Sequence, residues 1–245
     1  MNKLITLIFP AYNEASSIKK TVDEAVAFFE SHQLSYEIIV SADGEDGTRD
    51  IVGEMGKKNP NIKAIGSVKR RGKGYGIRQA IKIARGDIIG FSDADNKTPI
   101  TEFEAFLPKF DEGNDIVIGS RGNRKTVIER PQPWYRQIGS KGFAIFMHMV
   151  TGLWDISDTQ CGFKFFTGKA ARYLFAIQQI DGYMYDVEIL FLAKKAGYKI
   201  AQMPVRWRDD GDSRLDLVKG NISNFKDVLS LRFRSYPVYS EEKKE

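Results

Sequence analysis

Asp87-Ile88-Ile89-Gly90-Phe91-Ser92-Asp93-Ala94-Asp95 holds the pattern that decides the fold. Residues 87–92 read as a short buried strand: the apolar run is too brief for a helix and is bounded by polar residues. Asp93 and Asp95 follow at its carboxyl end, two carboxylates at i and i+2. Such a pair can bracket a divalent cation bound to a diphosphate, and the ion neutralises charge that develops on a leaving phosphate. The bland reading of this spacing is a solvated turn, and Asp210-Gly211-Asp212 repeats it in a polar stretch. The preceding strand favours the first reading for Asp93 and Asp95, because open α/β sheets bind ligands outside the carboxyl ends of their strands.

The segments on either side follow the same rhythm. Upstream, Leu4 to Phe9 predicts a buried strand stopped by Pro10, and Asn13 to Ser17 supplies helix-capping residue types. A helix through about Glu30 follows, with Ile18, Val22, Val26 and Phe29 on one face. Tyr36 to Ser41 predicts a second strand, Asp43 to Gly47 a turn, and Thr48 the start of a helix. Asn61 to Ser67 is a short strand, and the basic, glycine-rich Lys69 to Gly76 leads into a helix through Arg85. Downstream, a helix is expected from Pro99 to Asp111 and a strand from Asp115 to Ser120. Strand and helix alternate over 120 residues, which gives right-handed βαβ units and a mainly parallel sheet flanked by helices. Pro10 to Glu14, Asp43, Lys69 to Gly76, and Asp93 to Asp95 then meet on one rim of that sheet.

The second half is less regular. Arg121 to Tyr135 is a basic loop, Tyr135 to Trp154 a mostly apolar helix, and Gly162 to Phe166 a strand. Helices over Lys169 to Gln178 and Tyr185 to Ala196, a strand over Lys199 to Trp207 and an amphipathic basic helix over Asn221 to Tyr236 complete the chain. The expectation is one domain over residues 1–236, a first half (1–120) with a second half (121–236) built onto it. A disordered tail is expected over 237–245.

Arg70-Arg71-Gly72-Lys73-Gly74-Tyr75-Gly76 opens a helix. Glycines permit close backbone approach, the helix N-terminus attracts phosphate, and Lys73 adds charge. Arg121, Arg124, Lys125, Arg130 and Arg136 cluster before the apolar helix, and arginine matches phosphate by paired hydrogen bonds.

Composition narrows the classes. Over 245 residues the chain is 42% hydrophobic and 28% charged, with a net charge of +5, so it can bury a core and suits an anionic partner. One cysteine, Cys161, and two histidines, His32 and His148, exclude an intramolecular disulfide and argue against a Cys/His zinc site. A metal must then be held by oxygen, which points to Mg2+ or Mn2+. No stretch reaches the roughly 20 apolar residues that span a bilayer.

Several of these stretches together resemble glycosyltransferase family 2, with its GT-A fold. They are Phe9-Pro10-Ala11-Tyr12-Asn13-Glu14, Arg71-Gly72-Lys73-Gly74 and Asp93-Ala94-Asp95. Gly119-Ser120-Arg121, Asp158 to Lys164, Tyr185 to Leu190, and Trp207 followed by Asp212-Ser213-Arg214-Leu215 resemble the branch of dolichyl-phosphate glucosyltransferases and dolichyl-phosphate mannose synthases. The resemblance implies inverting transfer of a hexose from a nucleotide-diphosphate sugar, UDP-glucose ahead of GDP-mannose, to a polyprenyl phosphate. It implies a metal-dependent enzyme, with residues 1–120 as the nucleotide-sugar half and 121–236 as the acceptor half. Many relatives carry membrane-spanning segments and this sequence shows none, so the expectation is a cytoplasmic enzyme peripheral to the membrane, with the helices near 142–154 and 221–236 resting on the lipid surface.

By position, Pro10, Tyr12 and Glu14 line the nucleotide pocket, while Asp93 and Asp95 meet diphosphate and metal. Arg121, Arg136 and Ser140 match positions that hold the acceptor phosphate, and Asp158, Gln160 and Asp186 face the sugar. Asp95, Asp158, Gln160 and Asp186 are the catalytic candidates, and Asp43, Lys73 and Arg214 complete the binding set. Ser41-Ala42-Asp43-Gly44-Glu45 stands where the family has Asp-Asp-Gly-Ser, so Asp43 matches with a shift of one. Two other readings compete. One is a soluble family 2 enzyme with a non-lipid acceptor. The other is a non-catalytic nucleotide- or nucleic-acid-binding module, disfavoured because no aromatic-basic repeat of single-strand binders is present.

Overall fold

The computed structural model describes residues 3–121, 134–207 and 219–237, with side chains described for 3–121, 142–207 and 223–237. The first half alternates as its hydrophobic pattern dictates. β1 (Ile5–Tyr12), α1 (Ile18–Ser31), β2 (Tyr36–Asp43), α2 (Thr48–Lys58), β3 (Ile62–Ile65), α3 (Lys73–Ile83) and β4 (Ile88–Phe91) follow in turn. Next come a 3-10 helix (Ile100–Ala105), α4 (Leu107–Asp111) and β5 (Ile116–Ser120). The second half supplies α5 (Trp134–Thr151), β6 (Lys164–Thr167), α6 (Gly168–Ile177), α7 (Tyr185–Lys195), β7 (Ile200–Pro204) and α8 (Lys219–Ser230).

Among the described residues the strands form one seven-stranded sheet in the order β3-β2-β1-β4-β6-β5-β7. All neighbours are parallel except β6, which runs antiparallel to both β4 and β5. Its first residue, Lys164, therefore lies beside Phe91 and Ile118 near the carboxyl ends of β4 and β5. Successive side chains alternate between two cores. Leu7, Phe9, Ile38 and Phe165 pack with Phe28, Phe29, Phe103 and Phe106 on one face. Ile8, Ile39, Phe91 and Phe166 pack with Ile77, Phe175 and Leu190 on the other. Both faces are covered, as a mainly parallel sheet requires.

Among the boundaries that differ from the sequence expectation, three have a local cause. β1 continues through Pro10 to Tyr12, because β4 has ended opposite Ile8 and Pro10 pairs with β2 alone, at Ser41; an unpaired side tolerates the missing N–H. The helix expected over Pro99 to Asp111 is split into the 3-10 turn and α4, with Pro108 inside the first turn of the second piece. The last helix ends at Ser230 rather than Tyr236. Ser230 closes turns with Phe233 and Arg234, and Tyr236, past the helix end, bonds Glu188. Residues 238–245 of the expected tail lie outside the described residues.

Candidate active site

The turn after β4 carries Asp93 and Asp95. It is fixed from three directions: Ser92 N–H donates to the Ile8 carbonyl at 3.0 Å, the Thr21 hydroxyl donates to the Ala94 carbonyl at 2.9 Å, and Asn96 reaches Glu24. Lys73, first residue of α3, places its Nζ 2.6 Å from Asp93 Oδ1. Lys97 Nζ lies 3.1 Å from Asp95 Oδ2. Burial alone would raise the Asp93 carboxyl, but Lys73, followed by Arg121 and Lys164, outweighs it and holds the group below the usual carboxylate range. Lys73 responds in the opposite sense: burial lowers it, and Asp93 and Asp186 more than compensate, so it stays a cation. A Cβ on Gly162 would sit 2.0 Å from Asp93 Oδ2, so the chain entering β6 passes against this carboxylate only because residue 162 has no side chain.

From β5, Arg121 grips Asp158 with two guanidinium bonds, Nε to Oδ2 at 2.8 Å and Nη2 to Oδ1 at 3.0 Å, and its backbone N–H donates to the same carboxylate at 2.9 Å. Such forked, charge-assisted pairs are the stronger class of hydrogen bond. Burial works against the charge on Asp158, yet Arg121 holds its carboxyl below the ordinary range. The Arg121 guanidinium also lies 5.4 Å from the centre of the Trp207 ring, just past β7. Gln160 is exposed beside them, its N–H bonded to Asp158 Oδ1 at 3.2 Å. Asp186, second residue of α7, is buried one layer beneath the rim, where Lys164 Nζ donates to its Oδ1 at 2.6 Å and to the Cys161 carbonyl at 2.6 Å. Cys161 is a buried thiol, pushed up to about 11 by desolvation.

On the far side of α3, Asp43 accepts from the Ser67 N–H at 3.1 Å and the Arg71 N–H at 2.7 Å. It borders a cavity of about 320 Å3 with Ser41, Ser67, Arg71, Tyr75 and Gly76. Tyr12 lies under the Arg70 guanidinium at 4.3 Å, and Glu14 accepts from the Ser17 hydroxyl at 2.7 Å. Pro10, Tyr12, Glu14, Asp43, Lys73, Asp93, Asp95, Arg121, Asp158 and Gln160 thus share the carboxyl rim of the sheet. Arg136 and Ser140 fall on α5, but their side chains lie outside the described residues. Arg124, Lys125, Arg130 and the stretch Asp212 to Leu215, with Arg214, lie wholly outside them.

The sequence matches the glycosyl transferase family 2 profile over residues 6–175. This chain belongs to glycosyl transferase family 2. It is 35% identical over 247 residues to a dolichyl-phosphate beta-glucosyltransferase of Dictyostelium discoideum, covering 95% of this chain and 75% of that protein. It is 34% identical over 237 residues to one of Trichomonas vaginalis, covering 92% and 70%, and 31% identical to the human enzyme of that name, covering 95% and 76%. Among solved structures it is similar to glucosyl-3-phosphoglycerate synthase of Mycobacterium tuberculosis in complex with Mn2+, UDP and phosphoglyceric acid. The TM-score is 0.67 at 18% identity, with 94% of this chain and 77% of that one covered. The fold of this family 2 glycosyltransferase is accordingly GT-A.

No group of three or more histidine, cysteine or acidic side chains able to hold a metal occurs among the described residues. The donor chemistry still fits a hard cation, because magnesium-type ions take one or two carboxylates and complete their shell with substrate phosphates. Asp95 is exposed and Asp93 is half-buried beside it, two oxygen donors at the rim.

Two residues of the site were not assigned by sequence reasoning. Lys164 is fully buried within Phe163-Lys164-Phe165-Phe166. A lone cation in an apolar strand is a legible signal, since lysine is buried only with a partner. Gly162 has no comparable signal, because its role comes from a carboxylate 69 positions earlier in the chain.

Proposed function

We propose that this family 2 glycosyltransferase transfers glucose from UDP-glucose, with inversion, to a dolichyl or other polyprenyl phosphate at the cytoplasmic surface of a membrane. The observation that carries the reading is the meeting of Lys73, Asp93 and Asp95 with the Arg121–Asp158 pair on one rim. Cations and carboxylates there suit a substrate pair that is anionic at both ends. The names of the relatives supply the acceptor class and the sugar.

The acceptor phosphate is already an anion near neutral pH. One of its oxygens attacks the anomeric carbon as the bond from that carbon to the diphosphate oxygen breaks, with no strong base needed. The chain's work is positioning and charge stabilisation. Lys73 and the first turn of α3 hold the leaving diphosphate. Asp43, Pro10, Tyr12 and Glu14 frame the nucleoside, with the cavity beside Asp43 as its seat. Asp158 and Gln160 frame the sugar at the surface and Asp186 supports them from beneath. Arg121, Arg136, Ser140 and Arg214 hold the acceptor phosphate against repulsion from the diphosphate. Mg2+ or Mn2+, held by Asp95 with Asp93, supplies neutralisation of the diphosphate when bound.

Membrane contact is supported by an exposed apolar face. Ile145, Met149, Trp154, Phe225, Leu229 and Phe233 are open, and Phe233 is 82% exposed. Phe225 packs on Phe143 and Phe146, which joins α8 to α5, and the exposed Lys226 and Arg232 suit anionic headgroups. No helix of the described residues is long and apolar enough to cross a membrane.

The test is a donor screen with a short polyprenyl phosphate, with and without Mn2+. Turnover is expected with UDP-glucose, lipid phosphate and metal together. Faster transfer from GDP-mannose would replace the donor, and transfer to a water-soluble acceptor without lipid phosphate would replace the acceptor.

A further inference from the structure

Glu188 is fully buried on α7, half a turn past Asp186. Its Oε1 accepts from the Gln179 N–H at 2.9 Å and the Tyr236 hydroxyl at 2.7 Å, and its Oε2 accepts from the Ile180 N–H at 2.8 Å. A buried carboxylate with three donors is a fixed point, since breaking any one bond leaves charge without compensation. What it fixes is the connection from α6 to α7.

That connection runs directly under the glycine-rich loop. The Asp181 carbonyl accepts from the Tyr75 N–H at 3.2 Å, and its carboxylate accepts from Arg78 Nη2 at 2.6 Å. The Gln178 carbonyl accepts from Arg78 Nη1 at 3.3 Å, and the Tyr183 hydroxyl accepts from Arg70 Nη2 at 3.0 Å. Gly72 has φ of +115°, and a Cβ there would stand 2.3 Å from the Asp181 carbonyl oxygen, so the two backbones touch. On its other side the connection is tied to the segment after α8. Gln179 Nε2 donates to the Ser235 carbonyl at 2.9 Å, and Arg234 Nη1 donates to Gln179 Oε1 at 3.3 Å. Residues 70–78, 178–188 and 234–236 are thereby joined around one acid.

We infer that residues 178–184, anchored on Glu188, brace the glycine-rich loop, and that Glu188 and Asp181 are positioning residues that set affinity for the donor's nucleoside diphosphate without touching it. The inference rests on the reading of Lys73 and α3 as the diphosphate site. Lys73 can meet a phosphate only while the first turn of α3 stays in place, and small misplacements of such groups are costly. Glu37 provides an internal control. It is equally buried and bonded by the Thr6 hydroxyl and the Arg85 N–H, but on the opposite edge of the sheet.

The experiment is calorimetric titration of UDP and GDP, with Mn2+, into the full chain and its variants, alongside steady-state kinetics. Asp181→Ala and Glu188→Gln are expected to weaken nucleotide binding by about tenfold, and Tyr236→Phe by about threefold, within the range of coupling through packed networks. Donor KM should rise in step while acceptor KM holds. Glu37→Gln should lower the melting temperature without changing nucleotide affinity. Wild-type affinity in both Asp181→Ala and Tyr236→Phe, which keep the buried carboxylate, overturns the brace. An equal loss in Glu37→Gln and Glu188→Gln reduces it to general destabilisation. Wild-type protein that binds neither nucleotide overturns the diphosphate reading itself, and this inference with it.

Discussion

The two sides of the sheet handle charge differently. In the parallel side, β3-β2-β1-β4, the rim pairs are half open: Asp93 keeps 41% and Asp95 38% of their side chains exposed beside Lys73 and Lys97. In the β6-β5-β7 side the Lys164–Asp186 pair is sunk, at 1% and 5%. An open pair can exchange its partner for a ligand's charge at little cost, because water already screens it. A sunk pair cannot, since separating buried ions leaves each unsolvated. The Asp93 and Asp95 pairs are therefore suited to exchanging ionic partners, and the Lys164–Asp186 pair to holding a shape.

Substitutions can break that contrast. The largest expected effect is Asp95→Ala, which should cut transfer by about a thousandfold, a loss of several kcal/mol in stabilising the leaving group. The melting temperature should stay near wild type, and activity within a few-fold would remove Asp95 from any metal role. Lys164→Met should do the reverse, destabilising the fold by about 3 kcal/mol in denaturant unfolding. Adding Asp186→Leu should return most of that stability; a double variant as unstable as the single would show that the pair is not a closed unit. Arg136→Ala is next, with acceptor KM expected to rise about thirtyfold and donor KM nearly unchanged. Equal rises in both would argue against the acceptor assignment.

The smallest effect sharpens the comparison through pH. Glu37 and Glu188 are both fully buried, one in each half of the chain. Burial pushes both up, but in Glu37 the Arg85 N–H, the Thr6 hydroxyl and the Arg85 guanidinium reverse the shift and leave it low. In Glu188 burial outweighs Tyr236 and the two backbone N–H groups, and the carboxyl stays raised. A depressed carboxyl contributes stability that is present above its unfolded value, about 4.3, and lost as pH falls through the folded value. A raised one contributes stability that is present below about 4.3 and lost as pH rises through the folded value. The stability difference between wild type and Glu37→Gln should thus shift toward the variant on acidification, and that for Glu188→Gln on raising the pH. Equal slopes in the unfolding series would refute the assignment.

Much of the architecture was readable from hydrophobic periodicity, because β1, β2 and β4 each carry an apolar run (Leu7 to Phe9, Ile38 to Val40, Ile88 to Phe91) and are separated by amphipathic helices. The direction of β6 was not, since a strand as short as Lys164–Thr167 carries no sign of which way it is paired. The reach of β1 past Pro10 depended on where β4 stops, a fact of the neighbour. At the rim, the i and i+2 carboxylates and Lys73 were legible because each follows or opens a regular element. The burial of Asp186 was not legible, because Tyr185 to Leu190 reads only as a helix until Lys164 is set against it.

The parallel pairing of β5 with β7 has a practical consequence. The turns at the far edge, including Gly113–Asp115 and Gly197–Lys199, bring no residue to the rim. Gly113 is exposed, with open space about it, and the five residues of β5 put it about 15 Å from Arg121. A fluorophore, an affinity handle or an inserted reporter domain at that corner lies away from the proposed substrate site. The chain can therefore be tethered there with the carboxyl rim of the sheet left free.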